Sequence, residues 1–495
     1  MGTSFLTGFL SLLNPWTLFL ILIGTLVGLT VGIIPGLGSI QGIVLLLPLT
    51  YSMQPTDAMA MLTAIYCASV FGGSIPAVLF SMPGTESAVM TTLDGYKLAR
   101  SGQAGKALGT AMMCSALGGL FSTAILQTLA PTLAEFALRF GPAEYFALGF
   151  LGISCVSSIG TKSLTKALLS TTIGLFLACV GIDKISGASR FTFGVDMFQM
   201  GIEFTPAIIG LFAIGELINQ VVNIRRGQRG EVIKNVKVSF LSLKELFRMK
   251  WLILRSALTG TWVGILPGVG ASTAAVIAYN QESRLSDQPE KWGTGIIEGV
   301  AAPETSNNAS VGGAMVPLLG LGIPGSSTAA VLIGAFTLHG LRPGPLLFTS
   351  NPDVVTHIIA GMYIVNVIMV FLSIPMVPFV IRILQIPYPF IAAAVYVICI
   401  TGCIVLGGFS NVWVVSAFGV IGYLLSRFEF PLSPIIIALI LGPMMESNLR
   451  RALYMSDSGF FSLFNRPIFA TLIALSLASL MLPLLTRKRK MAKKW

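Results

Sequence analysis

Two copies of one pattern hold the residues best placed to do chemistry. Val31-Gly-Ile-Ile-Pro-Gly-Leu-Gly-Ser39 returns as Val263-Gly-Ile-Leu-Pro-Gly-Val-Gly-Ala271, 232 residues later. A second signal follows each copy: Gly72-Gly73 then Pro83-Gly84-Thr85-Glu86-Ser87, and Gly312-Gly313 then Pro324-Gly325-Ser326-Ser327-Thr328. Read as glycine pairs, the second Gly precedes the Pro by 10 residues in one half and 11 in the other. All four breaks interrupt apolar runs. Pro removes a backbone donor and Gly turns left-handed at little cost, so each break frees N–H and C=O groups. Inside a bilayer such groups need protein, water or a ligand.

That need defines the chemistry. A half-helix N-terminus offers N–H groups and partial positive charge, which suits a carboxylate. Carbonyls and hydroxyls suit Na⁺, a hard cation. The candidates at the breaks are Gly36, Gly38, Ser39 and Gln41; Pro83, Gly84, Thr85, Glu86 and Ser87; Gly268, Gly270, Ser272 and Thr273; Pro324, Gly325, Ser326, Ser327 and Thr328. A single Ser or Thr in a membrane helix more simply bonds back to the preceding turn. The run Ala302-Pro-Glu304-Thr-Ser306-Asn307-Asn308-Ala adds Glu304, Asn307 and Asn308, whose side chains suit a carboxylate or a cation; its plainer reading is a helix cap. Glu86 is either an intramembrane carboxylate or an exposed loop acid. No Arg or Lys stands at the breaks, so anion binding would fall to dipoles, hydroxyls, amides and Na⁺. The two His, His339 and His357, lack HExxH spacing, and no GxxxxGK[ST] occurs, so no enzyme signature is present.

Composition sets the medium. Of 495 residues, 54 % are hydrophobic and 10 % charged, against about 25 % charged in a soluble domain. More than ten apolar runs approach the roughly 20 residues needed to span a bilayer. No charge precedes Asp57, so the basic region of a signal peptide is missing and the first apolar segments are expected to be retained. The net charge of +11 gathers between apolar runs and in the tail, as membrane topology demands, and excludes a nucleic-acid reading. Cys67, Cys114, Cys155, Cys179, Cys399 and Cys403 have no CxxC spacing and read as small core residues.

The elements that must position the breaks follow from charge. Lys97, Arg100 and Lys106 form one basic stretch; Arg225, Arg226, Arg229, Lys234, Lys237, Lys244, Arg248 and Lys250 a second; Arg487 to Lys490 with Lys493 and Lys494 the third. All three are expected in the cytoplasm, the C-terminus included. Four apolar runs lie between the first two and six between the last two, both even as required. Arg450, Arg451 and Arg466 then fall outside, against the rule. The expected fold is an all-α polytopic membrane protein with about 11–12 spanning helices plus two re-entrant hairpins, in two inverted-topology repeats. Residues 1–223 form the first repeat, with a hairpin at 17–50 and a broken helix at 58–96. Residues 251–446 form the second, with a hairpin at 252–280 and a broken helix at 300–338. Hairpin flanks of about 12–15 residues are too short to span; a kinked pair of ordinary helices is the alternative. The linker 224–250 should carry an amphipathic surface helix at 236–251, with an outer counterpart at 449–464 in the final stretch, 447–495.

The blocks GIIPGLGSIQG (32–42), FGGSIPAVLFSMPGT (71–85), DGYKLARSGQAGKALG (94–109), GTGIIEGVAAPETSNNASVGGAMVPLLGLGIPGS (293–326) and HGLRPGPLLF (339–348) closely resemble the large membrane subunit, TctA type, of the tripartite tricarboxylate transporters. The resemblance implies a multi-pass protein of the bacterial inner membrane that takes up tricarboxylates such as citrate. It implies Na⁺ or H⁺ as coupling ion and no other cofactor. It implies two partners, a small four-helix membrane subunit (TctB type) and a periplasmic solute-binding protein (TctC type). By analogy, the hairpins and broken helices would move as an elevator. Rival readings are a stand-alone exchanger or symporter, a membrane-embedded enzyme and a non-transporting scaffold.

Overall fold

Asn14 opens the first helix: its Oδ1 accepts from Trp16 N, and Pro15 fills the first helical position, where no donor is needed. The computed structural model describes residues 14–158, 163–183, 185–223, 236–383, 388–456 and 459–492. Helix α1 (Pro15–Ile33) turns at the first Pro-Gly break into α2 (Ser39–Thr50), and α3 (Pro55–Gly72) follows. A short α4 (Ser74–Phe80) leads into the Pro83-Gly84 loop and α5 (Val89–Leu98). Four elements come next: α6 (Ala104–Ala137), α7 (Pro142–Ser158), α8 (Leu164–Ala178), and α9 (Phe204–Ile208) joined through a π-helical turn to α10 (Gly215–Asn223). A two-stranded hairpin, β1 (Gly181–Ile182) with β2 (Ser189–Arg190), lies between α8 and α9.

After α11 (Leu243–Arg248) the pattern repeats. The hairpin is α12 (Lys250–Ile265) with α13 (Gly270–Leu285), and the broken helix is α14 (Glu298–Leu321) with α15 (Ser327–Leu338). There follow a short α16 (Leu347–Ser350), α17 (Pro352–Ile383), α18 (Tyr388–Gly407), α19 (Phe409–Arg427), α20 (Ser433–Tyr454) and α21 (Pro467–Ala492). Six helical stretches among the described residues are long and apolar enough to cross a membrane, and five shorter helices are also apolar. α14 is long enough but rich in Ser, Thr and Asn; residues 299–320 are buried without interruption, so its polar atoms meet protein and not lipid. The protein is an all-α polytopic membrane protein.

Glycine spacing sets the packing and reveals the register of the duplication. Gly28 and Gly32 of α1 lie against the carbonyls of Ile65 and Ser69, so α1 and α3 run parallel at close approach. Gly260 and Gly264 of α12 lie likewise against Ser306 and Ser310 of α14. On α3, Gly72 meets the carbonyl of Leu29; on α14, Gly313 meets that of Thr261. Gly72 is therefore the counterpart of Gly313, and not Gly73 as the paired-glycine reading implies. With this register the Gly-to-Pro spacing is 11 in both halves. Ser81 (φ 56) corresponds to Gly322 (φ 74), each ending its helix in the left-handed region over Pro76 and Pro317.

Contacts sort the helix ends. Thr17 donates to Asp57 (2.7 Å) and His339 meets Thr50 (3.2 Å), which gathers the starts of α1 and α3 with the ends of α2 and α15. At the opposite end Lys97 donates to the Gly293 carbonyl and Lys106 pairs with Glu245 (2.6 Å). The first hairpin enters from one end and the second from the other, so the halves are inverted. Two of the three Arg residues that defied the charge rule are paired: Arg450 with Asp183 (2.7 Å) and Arg466 with Glu144 (3.3 Å). Asp183 is held below the usual carboxylate range by the Ser186 hydroxyl first and Arg450 second.

Three expectations change. α1 has 19 residues, about 28 Å at 1.5 Å per residue, so this hairpin leg is longer than the 12–15 residues read from sequence. The surface helix expected at 236–251 is only Leu243–Arg248, because the Ser242–Glu245 capping box starts it late. Residues 236–241 are non-helical, and Ser239 N donates to the Gly105 carbonyl (3.0 Å). Its expected outer counterpart is the continuation of α20 to Tyr454, followed by a 3₁₀ turn at Phe460–Asn465. Arg225, Arg226, Arg229, Lys234, Lys493 and Lys494 lie outside the described residues.

Candidate functional site

The two Pro-Gly turns reverse the chain through left-handed glycines, Gly36 (φ 84) and Gly268 (φ 76). Each turn delivers the N-terminus of a second hairpin leg. α2 begins beyond Gly38 and α13 beyond Val269, and neither has a side-chain cap, so their first N–H groups stay available. The Pro-Gly loops of the broken helices are seated on these turns. Gly84 packs on the Gly32 carbonyl and its N–H donates to Gly73 O (3.1 Å). Gly325 packs on the Gly264 carbonyl, and Gly268 N donates to Gly325 O (3.0 Å). Pro83 and Pro324 set the chain direction into these two loops.

The halves exchange contacts at the breaks. Tyr66 of α3 places its hydroxyl 2.8 Å from Ser326 Oγ, in the second half. Asn307 of α14, the counterpart of Tyr66, donates to the Ser87 carbonyl (3.5 Å), in the first. α2 packs on α15, and α13 packs on the turn Glu86–Ala88. Each half-site thus combines one hairpin leg with the loop of the opposite half.

Within this arrangement the hydroxyls form short chains. Ser69 donates to Ser39 (2.7 Å), Thr85 and Ser87 lie 2.9 Å apart, and Ser326 caps α15 by accepting from Ala329 N (3.1 Å). Thr85 also borders Gly38. Ser272 and Thr273 are half-buried on the first turn of α13, beside left-handed Gly270. Thr328 is buried and Glu86 is exposed. Asn308 donates to Asn307 Oδ1 (2.6 Å) and to the Glu304 carbonyl (3.1 Å). Two candidates turn to flanking helices: Gln41 donates to Phe212 O (3.2 Å), and Ser327 meets Ser433 (2.6 Å). Glu304 lies completely buried, held by Thr91 and Ser115.

Sequence reasoning missed Tyr66, Ser69 and Asp94. Tyr66 and Ser69 stand in a helix that reads as apolar, and only the register with Asn307 and Ser310 exposes them. Asp94 is fully buried. It accepts from Tyr279 Oη (2.7 Å) and from the N–H groups of Gly293 (3.0 Å), Gly295 (2.8 Å) and Ile296 (3.0 Å), fixing the loop before α14 to α5.

Interrupted helices in inverted halves, with their breaks brought together inside the bundle, are a recurring plan of membrane transport proteins. The chain belongs to the tripartite tricarboxylate transporter TctA family, which matches it over residues 18–437. An uncharacterized 52.8 kDa protein in the TAR-I ttuC' 3'region of Agrobacterium vitis is 37 % identical over 479 residues, 97 % of this chain and 95 % of that protein. An uncharacterized protein in the TAR-II ttuC' 3'region of the same organism is 37 % identical over 227 residues, 46 % of this chain and 94 % of its own length. No solved structure matches.

Proposed function

We propose that this chain is the large membrane subunit of a binding-protein-dependent secondary transporter that takes up tricarboxylates such as citrate, or related carboxylates, with Na⁺ or H⁺. The observation that carries the reading is the exchange of contacts between Tyr66 and Ser326 and between Asn307 and Ser87. It brings two Pro-Gly loops and two uncapped helix N-termini into one region. The N–H groups at Ser39 and Gly270 and the hydroxyls of Thr85, Ser87, Ser272, Thr273 and Ser326 would hold the carboxylates. Na⁺ at the same breaks would offset part of the anion's charge, whose transfer into an apolar medium is otherwise costly.

The chain works in the bacterial inner membrane with a cytoplasmic C-terminus, beside a TctB-type four-helix subunit and a TctC-type periplasmic protein. The hairpins and broken helices form the moving part of an elevator. The test is uptake of labelled citrate into proteoliposomes holding this chain and its small subunit, with an inward Na⁺ gradient. Uptake that needs both Na⁺ and the binding protein is expected. Uptake without the binding protein would make this a stand-alone carrier. Failure with every di- and tricarboxylate under Na⁺ and H⁺ gradients would end the reading.

A further inference from the structure

Glu304 is a completely buried carboxylate without a cationic partner among the described residues. Thr91 of α5 donates to its Oε1, and Ser115 of α6 donates to its Oε2 at 2.9 Å. Ser74, the first residue of α4, lies against the same carboxylate, as does Asn307 one turn further along α14. Ser74 Oγ is itself fully buried and, beyond facing this carboxylate, has no hydrogen-bond partner among the described residues. None of the ion pairs among the described residues includes Glu304.

The other ionisable groups on the surrounding elements do not supply the missing charge. The Cys114 thiol on α6 is near the carboxylate but brings no positive charge. Asp94 on α5 and Tyr279 on α13 are bonded to each other. Arg255 on α12 is committed to Glu282 on α13 through two bonds of 2.8 and 2.6 Å. On α3, Tyr66 is bonded to Ser326 and the Cys67 thiol brings no positive charge; Glu86, after the Pro83-Gly84 loop, is an acid.

An isolated buried carboxylate costs several kcal/mol unless a positive charge joins it. Here two carboxylate oxygens and the hydroxyls of Thr91, Ser115 and Ser74 converge from four helices, with a single negative charge among them. A divalent ion would leave net positive charge buried; a monovalent one balances it. We propose that the Glu304 pocket is a monovalent-cation site, for Na⁺ or H⁺, separate from the four breaks. Its occupancy fastens α4 and α5, which flank the Pro83-Gly84 loop, to α14. Carboxylate binding at the loops is thereby linked to cation binding at Glu304. This role in coupling rests on the transport reading; the cation site itself does not.

The experiment follows thermal unfolding of the detergent-purified full chain. Wild type, Glu304→Gln and Ser74→Ala are compared in choline chloride, across a NaCl titration and across a pH series. For a Na⁺ site, NaCl raises the melting temperature of wild type and not of Glu304→Gln, and Ser74→Ala raises the half-maximal Na⁺ concentration about three- to tenfold. For a proton site, the melting temperature of wild type in choline chloride changes more with pH than that of Glu304→Gln, whose remaining response comes from other groups such as Glu245. Identical responses of wild type and Glu304→Gln in both series would overturn the proposal. Should Glu304→Gln fail to fold, Ser74→Ala decides, and no change in either series overturns it. No transported carboxylate enters these readouts, so a failure of uptake would count against the transport reading alone.

Discussion

Tyr66 Oη lies 2.8 Å from Ser326 Oγ, across 260 residues of chain, and ties the first broken helix to the loop of the second. Both groups are buried, so the bond is formed away from water. Tyr66→Phe removes one hydroxyl with little change of shape. It is expected to lower carboxylate uptake about three- to tenfold, the worth of one such bond. Ser326→Ala should do the same and also uncap α15. The double variant should cost less than the two singles combined, by about 1 kcal/mol. Additive losses in a double-mutant cycle would show that the two hydroxyls act separately.

Gly32 and Gly264 are matching points of close approach in the two parallel helix pairs. A methyl group at either would press on a backbone carbonyl, Ser69 O or Ser310 O, that cannot move aside. Gly32→Ala and Gly264→Ala should each destabilise by about 1–3 kcal/mol, the usual cost of overpacking. Thermal melting in detergent checks this. Similar losses at both sites are expected from the shared register; a large loss at one and none at the other would mean the two hairpins are packed differently.

Arg255 and Glu282 lock the base of the second hairpin. The carboxylate is 2 % exposed and the guanidinium 41 %. Arg255→Ala strands a buried charge and should cost about 3 kcal/mol, while removing both partners should cost less. If Arg255→Ala melts no earlier than the double variant, the pair contributes nothing to the hairpin.

The breaks and the duplication were legible because Pro-Gly-x-Gly has few other uses inside apolar sequence. The register was not. Gly72-Gly73 and Gly312-Gly313 look alike as dipeptides, and only the carbonyls beneath Gly72 and Gly313 show which glycine packs against the leading helix. Tyr66 was hidden for a related reason: an aromatic residue in an apolar helix carries no sign that its hydroxyl has a partner in the other half. The linker helix was overread because Phe240, Leu243 and Leu246 keep helical spacing, whereas the Ser242 cap decides where the helix begins. Arg450 and Arg466 stand against the charge rule, and their partners, Asp183 and Glu144, were not legible because they are distant in sequence.

Lys106 and Glu245 join α6 to the linker, and Ser239 N bonds Gly105 O just beside them. Glu245 is held down to about 2, by Lys106 first and by Ser242 N and Oγ after it. A carboxyl lowered in the folded state adds stability above its ordinary pKa and loses it as pH falls toward the lowered value. Exchange of the Ser239 amide should therefore quicken as pH drops from about 4.5 toward 2, beyond the intrinsic pH effect. Glu245→Gln should remove that extra dependence. The same profile in both proteins would detach the linker's order from this ion pair.

Sidedness is the remaining relationship on which transport direction depends. Lys97, Lys106 and the linker share one end of the bundle, while the loop after α15 that carries Arg342 lies at the other. The positive-inside rule assigns the first end to the cytoplasm. A cysteine at position 100 should react with a membrane-impermeant maleimide only from the cytoplasmic side, and one at position 342 only from outside. Both positions are exposed, so burial would not mask the label. Labelling of both from one side would break the inversion of the two halves, and with it the crossing of Tyr66 and Asn307 that joins the loops.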